Sequence, residues 1–242
     1  MAIAFAKEGF AMASPIIVFD LDGTLIDTAP DLLDSLNHCL RTVEMPEVSA
    51  DEVRRFVGFG SRVMIERAFA AHKRALTKEQ LNELQRLFLE DYSARMPGRS
   101  RPFSGVLDTI SRFRKAGFLC AVCTNKFEGL SRKLLGALEM ADSFAAICGA
   151  DTFAHRKPDP RHLLDTIELA GGDRERAVMV GDSRTDIDTA KAAGIPVVAV
   201  EFGYTDRPLH ELEPSRVISH FDEMTVELAE TLIRSAADKP AA

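Results

Sequence analysis

The sequence predicts an α/β fold in which a doubly wound parallel sheet carries an inserted α-helical unit. Three observations point there. An apolar run, Ile16 to Phe19, stops at Asp20 and reads as a strand buried on both faces. From Ala29 to about Met96 the apolar residues recur at helical spacing with no strand among them. Beyond Pro97-Gly98 and Pro102, helix-length and strand-length segments alternate along the chain.

Residues 1–14 read as an extension. Lys7, Glu8 and Gly9 interrupt what would otherwise be the apolar core of a signal peptide, and Met12 offers an alternative start. The helical unit opens at Pro30-Asp31 with Leu32, Leu33, Leu36, Cys39 and Leu40 at helical spacing. A second run carries Val63, Met64, Ala68 and Phe69, and a third, behind a Thr77 cap with Gln80 three residues on, carries Leu81, Leu84, Leu87 and Phe88. Because it lies between the first and second strands, this bundle is an insertion rather than a domain in series. Val106 to Lys115 then reads as a helix ended at Gly117, Phe118 to Cys123 as a strand, and a further helix reaches Leu138. Strands are expected at Ala145 to Cys148, Ala177 to Val180 and Pro196 to Val200, with helices over Pro160 to Ala170 and Asp186 to Ala193. A short strand at Val217-Ile218 and a helix from Asp222 to Arg234 close the series. The expected boundaries are 15–28 and 98–236 for the sheet domain, 29–97 for the helical one, and 237–242 for a disordered tail.

Composition narrows the functional classes. A chain of 242 residues that is 46% hydrophobic and 28% charged has the make-up of an ordinary globular protein. No apolar run approaches the roughly 18 residues needed to cross a membrane. A net charge of -7 with no offsetting basic block argues against a nucleic-acid surface. An acidic chain that handles an anion must therefore build positive potential locally, from a metal and a few Lys or Arg. Cys39, Cys120, Cys123 and Cys148 read as small buried apolar residues. The Cys120-x-x-Cys123 pair sits in a strand, not at a helix start, so neither a redox pair nor a zinc site is expected, and the usage suggests a reducing cytoplasm.

The candidate chemistry lies at strand ends. Asp20 and Asp22, Thr124-Asn125, and Gly181-Asp182 each follow an apolar strand directly. In a parallel sheet those ends share one edge, where open α/β sheets bind ligands. Two carboxylates spaced i, i+2 are costly to bury unpaired and call for a cation or an acid/base task.

Four stretches, FDLDGTLIDT at 19–28, CTN at 123–125, HRKPDP at 155–160 and VGDSRTDID at 180–188, stand in the order of the motifs of the haloacid dehalogenase-like (HAD) phosphotransferases. The chain resembles that family from about Ile16 to Leu232, with a Rossmann-like core and a helical (C1-type) cap. The resemblance implies that Asp20 is a nucleophile that forms a phosphoaspartate, and that Asp22 is the general acid/base, steadied by Thr24. It implies phosphate binding by Thr124, the Asn125 backbone and Gly23, and charge neutralisation by Lys157. It implies Mg²⁺ held by Asp20, the Asp22 carbonyl and Asp182, with Asp186 as an outer partner. An acid at position 22 separates phosphate chemistry from halide displacement, which does not need one.

Residues 29–97 resemble the cap that closes over the sheet edge, with hinges expected at Thr28 to Pro30 and Pro97 to Ser104. Gly58-Phe59-Gly60 resembles the VGxG turn of phosphoglycolate phosphatase caps, and no third glycine or preceding strand makes it a dinucleotide fingerprint. Gly58 and Gly60 would let the cap backbone approach a small acid, with Ser61 or Arg62 available to its carboxylate. The resemblance therefore implies a small phosphorylated metabolite, 2-phosphoglycolate first, as substrate. Ser61-Arg62 and His155-Arg156 depart from the usual pattern. A nucleotide, phosphosugar or pyrophosphate phosphatase, a sugar phosphomutase, and a non-catalytic phosphometabolite-binding regulator on the same scaffold stay open. No signal in the sequence encodes the oligomeric state.

Overall fold

The computed structural model describes residues 13–205 and 207–238. The expected extension (residues 1–12 of it) and the last four residues of the expected tail lie outside the described residues.

The organising strand is β1, Ser14–Phe19. It occupies the middle of a six-stranded sheet with β4 (Leu119–Cys123), β5 (Ala146–Cys148), β6 (Gly172–Gly181), β7 (Val197–Val200) and β8 (Arg216–Ile218), in the order β5-β4-β1-β6-β7-β8. Every pairing is parallel. Successive β1 side chains enter different cores, as the two-unit period of a strand requires. Ile17 and Phe19 pack with Val106, Ile110 and Phe113 of α5 (Val106–Lys115), Leu134 and Leu135 of α6 (Glu128–Ala137), and Ala229 of α9 (Val226–Ala237). Ile16 and Val18 pack with Leu163 and Ile167 of α7 (Pro160–Leu169) and Ile187 and Ala190 of α8 (Arg184–Ala193). Helices on both faces explain why β1, β4, β5, β7 and the second half of β6 run apolar rather than alternating. The chain runs from β1 outward to β5, then returns to β6 on the other side of β1. Asp20 and Asp182 thus straddle the point where strand order reverses, the usual ligand crevice of such a sheet.

The four remaining helices, α1 (Ala29–Thr42), α2 (Ala50–Arg54), α3 (Ser61–Ala71) and α4 (Lys78–Arg95), share a third core that includes Leu36, Leu40, Ile65, Leu84 and Phe88. Capping boxes start two of them: Ser49 with Glu52 at α2, and Thr77 with Gln80 at α4. Three features exceed the sequence expectation. β6 begins at Gly172, five residues before Ala177. α9 continues to Ala237. A small antiparallel pair, β2 (Ile26–Asp27) with β3 (Arg101–Pro102), joins the two passes between sheet and bundle. Strands of two residues carry no periodicity to read.

Beside that pair, the buried Asp31 carboxylate accepts the Arg99 N–H (2.9 Å), the Ser100 N–H (2.7 Å) and the Ser100 hydroxyl (2.5 Å), clasping the outgoing pass to the first turn of α1. Asp31→Ala would leave those donors unpaired. It should lower unfolding stability by about 2–4 kcal/mol in chemical denaturation, since each orphaned buried donor costs roughly 1–3 kcal/mol.

Candidate active site

At the end of β1, Asp20 is buried, with its N–H bonded to the Val180 carbonyl of β6 (2.9 Å). The Lys157 ammonium lies 2.9 Å from Asp20 Oδ1 and 2.5 Å from Asp186 Oδ1. Burial opposes the lysine's charge, but Asp186 and Asp20 outweigh it and push its pKa up. Asp20 is lifted to about 6, chiefly by burial, with Lys157 pulling the other way and Asp186 and Asp22 adding to the rise. Asp182 is raised well above the usual carboxylate range by burial and by the neighbouring Asp186 and Asp20.

Both oxygens of Asp182 are tied to loops. The Thr24 hydroxyl donates to Oδ1 (2.8 Å), and the Tyr204 N–H donates to Oδ2 (2.5 Å). The Asp186 Oδ2 accepts the Ser183 N–H (3.1 Å) and hydroxyl (2.6 Å), in a capping box that opens α8. This places Asp186 at the N-terminus of its helix, where negative charge is favoured, and aims its other oxygen at Lys157.

Asp20, Asp182 and Asp186 each present one oxygen within 4.8 Å of the other two. Three buried carboxylates with one lysine among them are short of positive charge, so burial and mutual repulsion raise Asp20 and Asp182, and an all-oxygen carboxylate donor set suits a hard divalent cation. The residues fit such an ion. The Asp22 side chain stands apart from this cluster. Lys126 Nζ lies 2.8 Å from each of its oxygens, and both side chains are largely buried. Burial works against the charge of Lys126, and Asp22 and Tyr92 together more than offset it. Thr24, expected to steady Asp22, faces Asp182 instead, because the Asp22 carboxylate is engaged by Lys126.

The remaining expected residues surround a cavity of about 60 Å³ between sheet edge and bundle. Asp20, Asp22, Thr124 and Asn125 line it from the sheet, and Gly58, Gly60, Ser61 and Arg62 from the bundle. Asn125 Nδ2 donates to the Lys157 carbonyl (3.1 Å) and reaches the Gly58 carbonyl (3.4 Å), a direct link between the two units. Gly58 and Gly60 have φ of 93° and 90°, which other residues rarely adopt, so the turn presents its backbone to the site. At Gly23 a Cβ would lie 2.3 Å from Asp182 Oδ2 and 2.6 Å from the Tyr204 ring, so the loop after β1 seats against the acids only as glycine. Arg62 donates to Asn82 Oδ1 (2.9 Å) and Gln85 Oε1 (3.2 Å) of α4, and Gln85 Nε2 donates to the Ser61 hydroxyl (3.3 Å).

The sequence reasoning missed Lys126, Tyr92 and Tyr204, and noted Arg156, which lines the cavity, only as a departure from the usual pattern. Lys126 directly follows the CTN stretch and was one position from notice. Tyr204 sits in the loop after β7 with no motif around it. It nonetheless binds Asp182 through its N–H, accepts the Ala29 N–H (3.0 Å), and donates its hydroxyl to Asp27, so it ties the acid cluster to the β2–α1 junction. The four cysteines are buried free thiols, as expected. No helix among the described residues is long and apolar enough to cross a membrane.

A doubly wound sheet whose edge gathers an acid cluster, a buried lysine and a helical roof defines a hydrolase architecture built for anionic esters. Residues 17–200 match the family model described as haloacid dehalogenase-like hydrolase, and the chain belongs to that family. It is 65% identical over 225 residues to a phosphoglycolate phosphatase of Mesorhizobium japonicum, covering 93% of this chain and 99% of that one. It is 49% identical to a phosphoglycolate phosphatase of Agrobacterium fabrum, covering 93% and 96%. Among solved structures, a predicted phosphoglycolate phosphatase from Haemophilus somnus superposes with a TM-score of 0.81 at 28% identity, covering 88% of this chain and 97% of that one.

Behind Lys157, the buried His162 accepts the Lys157 N–H at Nδ1 (3.2 Å) and meets the Gly149 carbonyl through Nε2 (3.1 Å), the pattern of a neutral ring. Burial and the nearby Lys157 lower its pKa from 6.5 to about 4. The unfolded chain thus binds the proton first as pH falls, so this residue's contribution to stability is lost between those two values. His162→Asn keeps an acceptor for the Lys157 N–H. Denaturant titrations across pH 4–7 should show a shallower acid-side decline for the variant than for the wild type.

Proposed function

We propose that this enzyme is a Mg²⁺-dependent phosphatase that hydrolyses 2-phosphoglycolate to glycolate and phosphate through a phosphoaspartate on Asp20. The observation that carries the reading is the division of charge at the sheet edge. One buried lysine faces the Asp20/Asp182/Asp186 cluster, and a second carboxylate, Asp22, stands beside it toward the cavity. A pKa of about 6 leaves Asp20 mostly ionised near neutrality, as a nucleophile requires.

An Asp20 oxygen attacks phosphorus, and the bond from phosphorus to the ester oxygen breaks. Asp22 supplies the proton that the departing alkoxide takes up. Water, giving its proton to Asp22, then attacks phosphorus, and cleavage of the acyl phosphate releases phosphate and restores Asp20. Lys157 offsets the charge that accumulates where carboxylate and phosphoryl oxygens meet. Thr124, the Asn125 backbone and Gly23 are assigned to the phosphoryl oxygens. Asp20, Asp182 and the Asp22 carbonyl would hold Mg²⁺, which supplies electrostatic neutralisation of the phosphoryl group. Asp186 acts by orienting Lys157.

The cap, residues 29–97, sets the substrate. A cavity of about 60 Å³ gives the room of only a few waters, which suits a two-carbon ester better than a nucleotide or a sugar bisphosphate. The relatives named phosphoglycolate phosphatase support the same choice. Gly58 and Gly60 bring the cap backbone close, and Ser61 and Arg62 add polar groups on that side.

Phosphate release from a panel of phosphorylated metabolites tests the proposal. 2-Phosphoglycolate should lead in kcat/KM by about tenfold or more, the discrimination of a single matched contact. Chelation with EDTA should abolish release and added Mg²⁺ restore it. Asp20→Asn, lacking the nucleophile, should fall by at least about 10⁴-fold. Activity indifferent to Asp20 would overturn the mechanism, and a different leading ester would overturn the substrate.

A further inference from the structure

Three cationic side chains line the cavity: Arg62, Lys126 and Arg156. Arg156 is exposed, and the Arg62 guanidinium is engaged by Asn82 and Gln85. Lys126 is different. It is 9% exposed, and its ammonium is held at the seam between core and cap, 2.8 Å from each Asp22 oxygen and 4.5 Å from the ring centroid of Tyr92 on α4. Its backbone is tied as well: the N–H donates to Thr124 Oγ1 (3.3 Å), and the carbonyl accepts the Ala150 N–H (2.9 Å). An ammonium has three donors; Asp22 takes two, and Tyr92 stands beside the third.

We propose that Lys126 is a specificity-determining residue that binds the substrate's own carboxylate beside the leaving oxygen. The proposal rests on the reading of the site as a 2-phosphoglycolate phosphatase. To protonate the leaving oxygen, Asp22 must come within hydrogen-bond reach of it. Lys126 stands one hydrogen bond beyond Asp22. In 2-phosphoglycolate a single methylene separates the leaving oxygen from the carboxylate, so the carboxylate falls beside Asp22, where it would compete with the neighbouring Tyr92 for the third ammonium donor. At the other end Lys157 stands at Asp20, the point of attack on phosphorus. Two buried lysines thus match the two anionic ends of one short molecule. Because both are withdrawn from water, each contact is strong and poorly replaced by solvent. An ester of equal length without the carboxylate gives Lys126 no second anion and leaves it to Asp22 and Tyr92 alone.

Ethyl phosphate is that ester, with a methyl group where 2-phosphoglycolate has its carboxylate. The experiment compares kcat/KM for the two esters, with Mg²⁺, in the wild type, Lys126→Met and Arg62→Ala. Methionine keeps the stem against Tyr92, and continued turnover of ethyl phosphate reports a folded, competent variant. The expected result is a wild-type preference for 2-phosphoglycolate that shrinks about thirtyfold or more in Lys126→Met, the worth of one hydrogen bond to a charged group. A parallel loss on both esters overturns the assignment and leaves Lys126 as a support for Asp22. So does a preference that survives in Lys126→Met and collapses in Arg62→Ala. A wild type that turns over both esters equally overturns the functional reading beneath the proposal instead.

Discussion

The structure depends on keeping Asp20, Asp182 and Asp186 within 4.8 Å of one another in a buried place. Like charges at that distance repel, and burial removes the water that would screen them. Lys157 compensates one charge, and the hydrogen bonds from Thr24, Ser183 and the Tyr204 backbone hold the carboxylates in place without neutralising them. An all-oxygen set of carboxylates left short of positive charge is one that suits a divalent cation. In a protein of net charge -7, Lys157 and Lys126 are the buried lysines set against these carboxylates.

Rigidity at that edge comes from the sheet. β1 and the second half of β6, from Ala177 on, are apolar on both faces and paired in register, so Asp20 and Asp182 follow strands that cannot shift independently. The loops that follow are packed almost to contact, as the absence of room for a Cβ at Gly23 and Gly203 illustrates. Tyr204 extends the same network outward. Its backbone touches the acid cluster, its ring covers Gly23, and its hydroxyl joins the Asp27–Ala29 junction where the chain leaves for the bundle. Cap and catalytic edge are therefore mechanically continuous, through Tyr204 and the Asp31 clasp on one side and through Asn125 and Gly58 on the other.

Most of the fold was legible because it is written in long periodic segments. Helices such as α1 and α5 and strands such as β1 and β4 carry enough apolar residues in phase for the period to be counted. The β2–β3 pair was not legible, since two residues define no period and their pairing joins positions some 75 apart in the chain. The same limit applies to the site. Asp20, Asp22, Thr124, Lys157, Asp182 and Asp186 stand in ordered local stretches and could be nominated from them. Lys126 and Tyr204 take their places beside the acids only through their partners; in the chain Lys126 is marked by nothing but its position after the CTN stretch, and Tyr204 by no motif.

By itself, then, the sequence determined which residue types end the strands and that an all-helical insertion separates the first strand from the rest, and its four ordered motifs carried the resemblance to the haloacid dehalogenase-like family. Local periodicity suffices for the first two and short ordered stretches for the third. The tertiary structure alone decided which carboxylate pairs with which cation. Lys157 went to Asp20 and Asp186, Lys126 to Asp22, and Thr24 to Asp182. Those pairings depend on distances of a few ångströms between residues as many as 158 positions apart, which only the packed sheet and its seated cap establish.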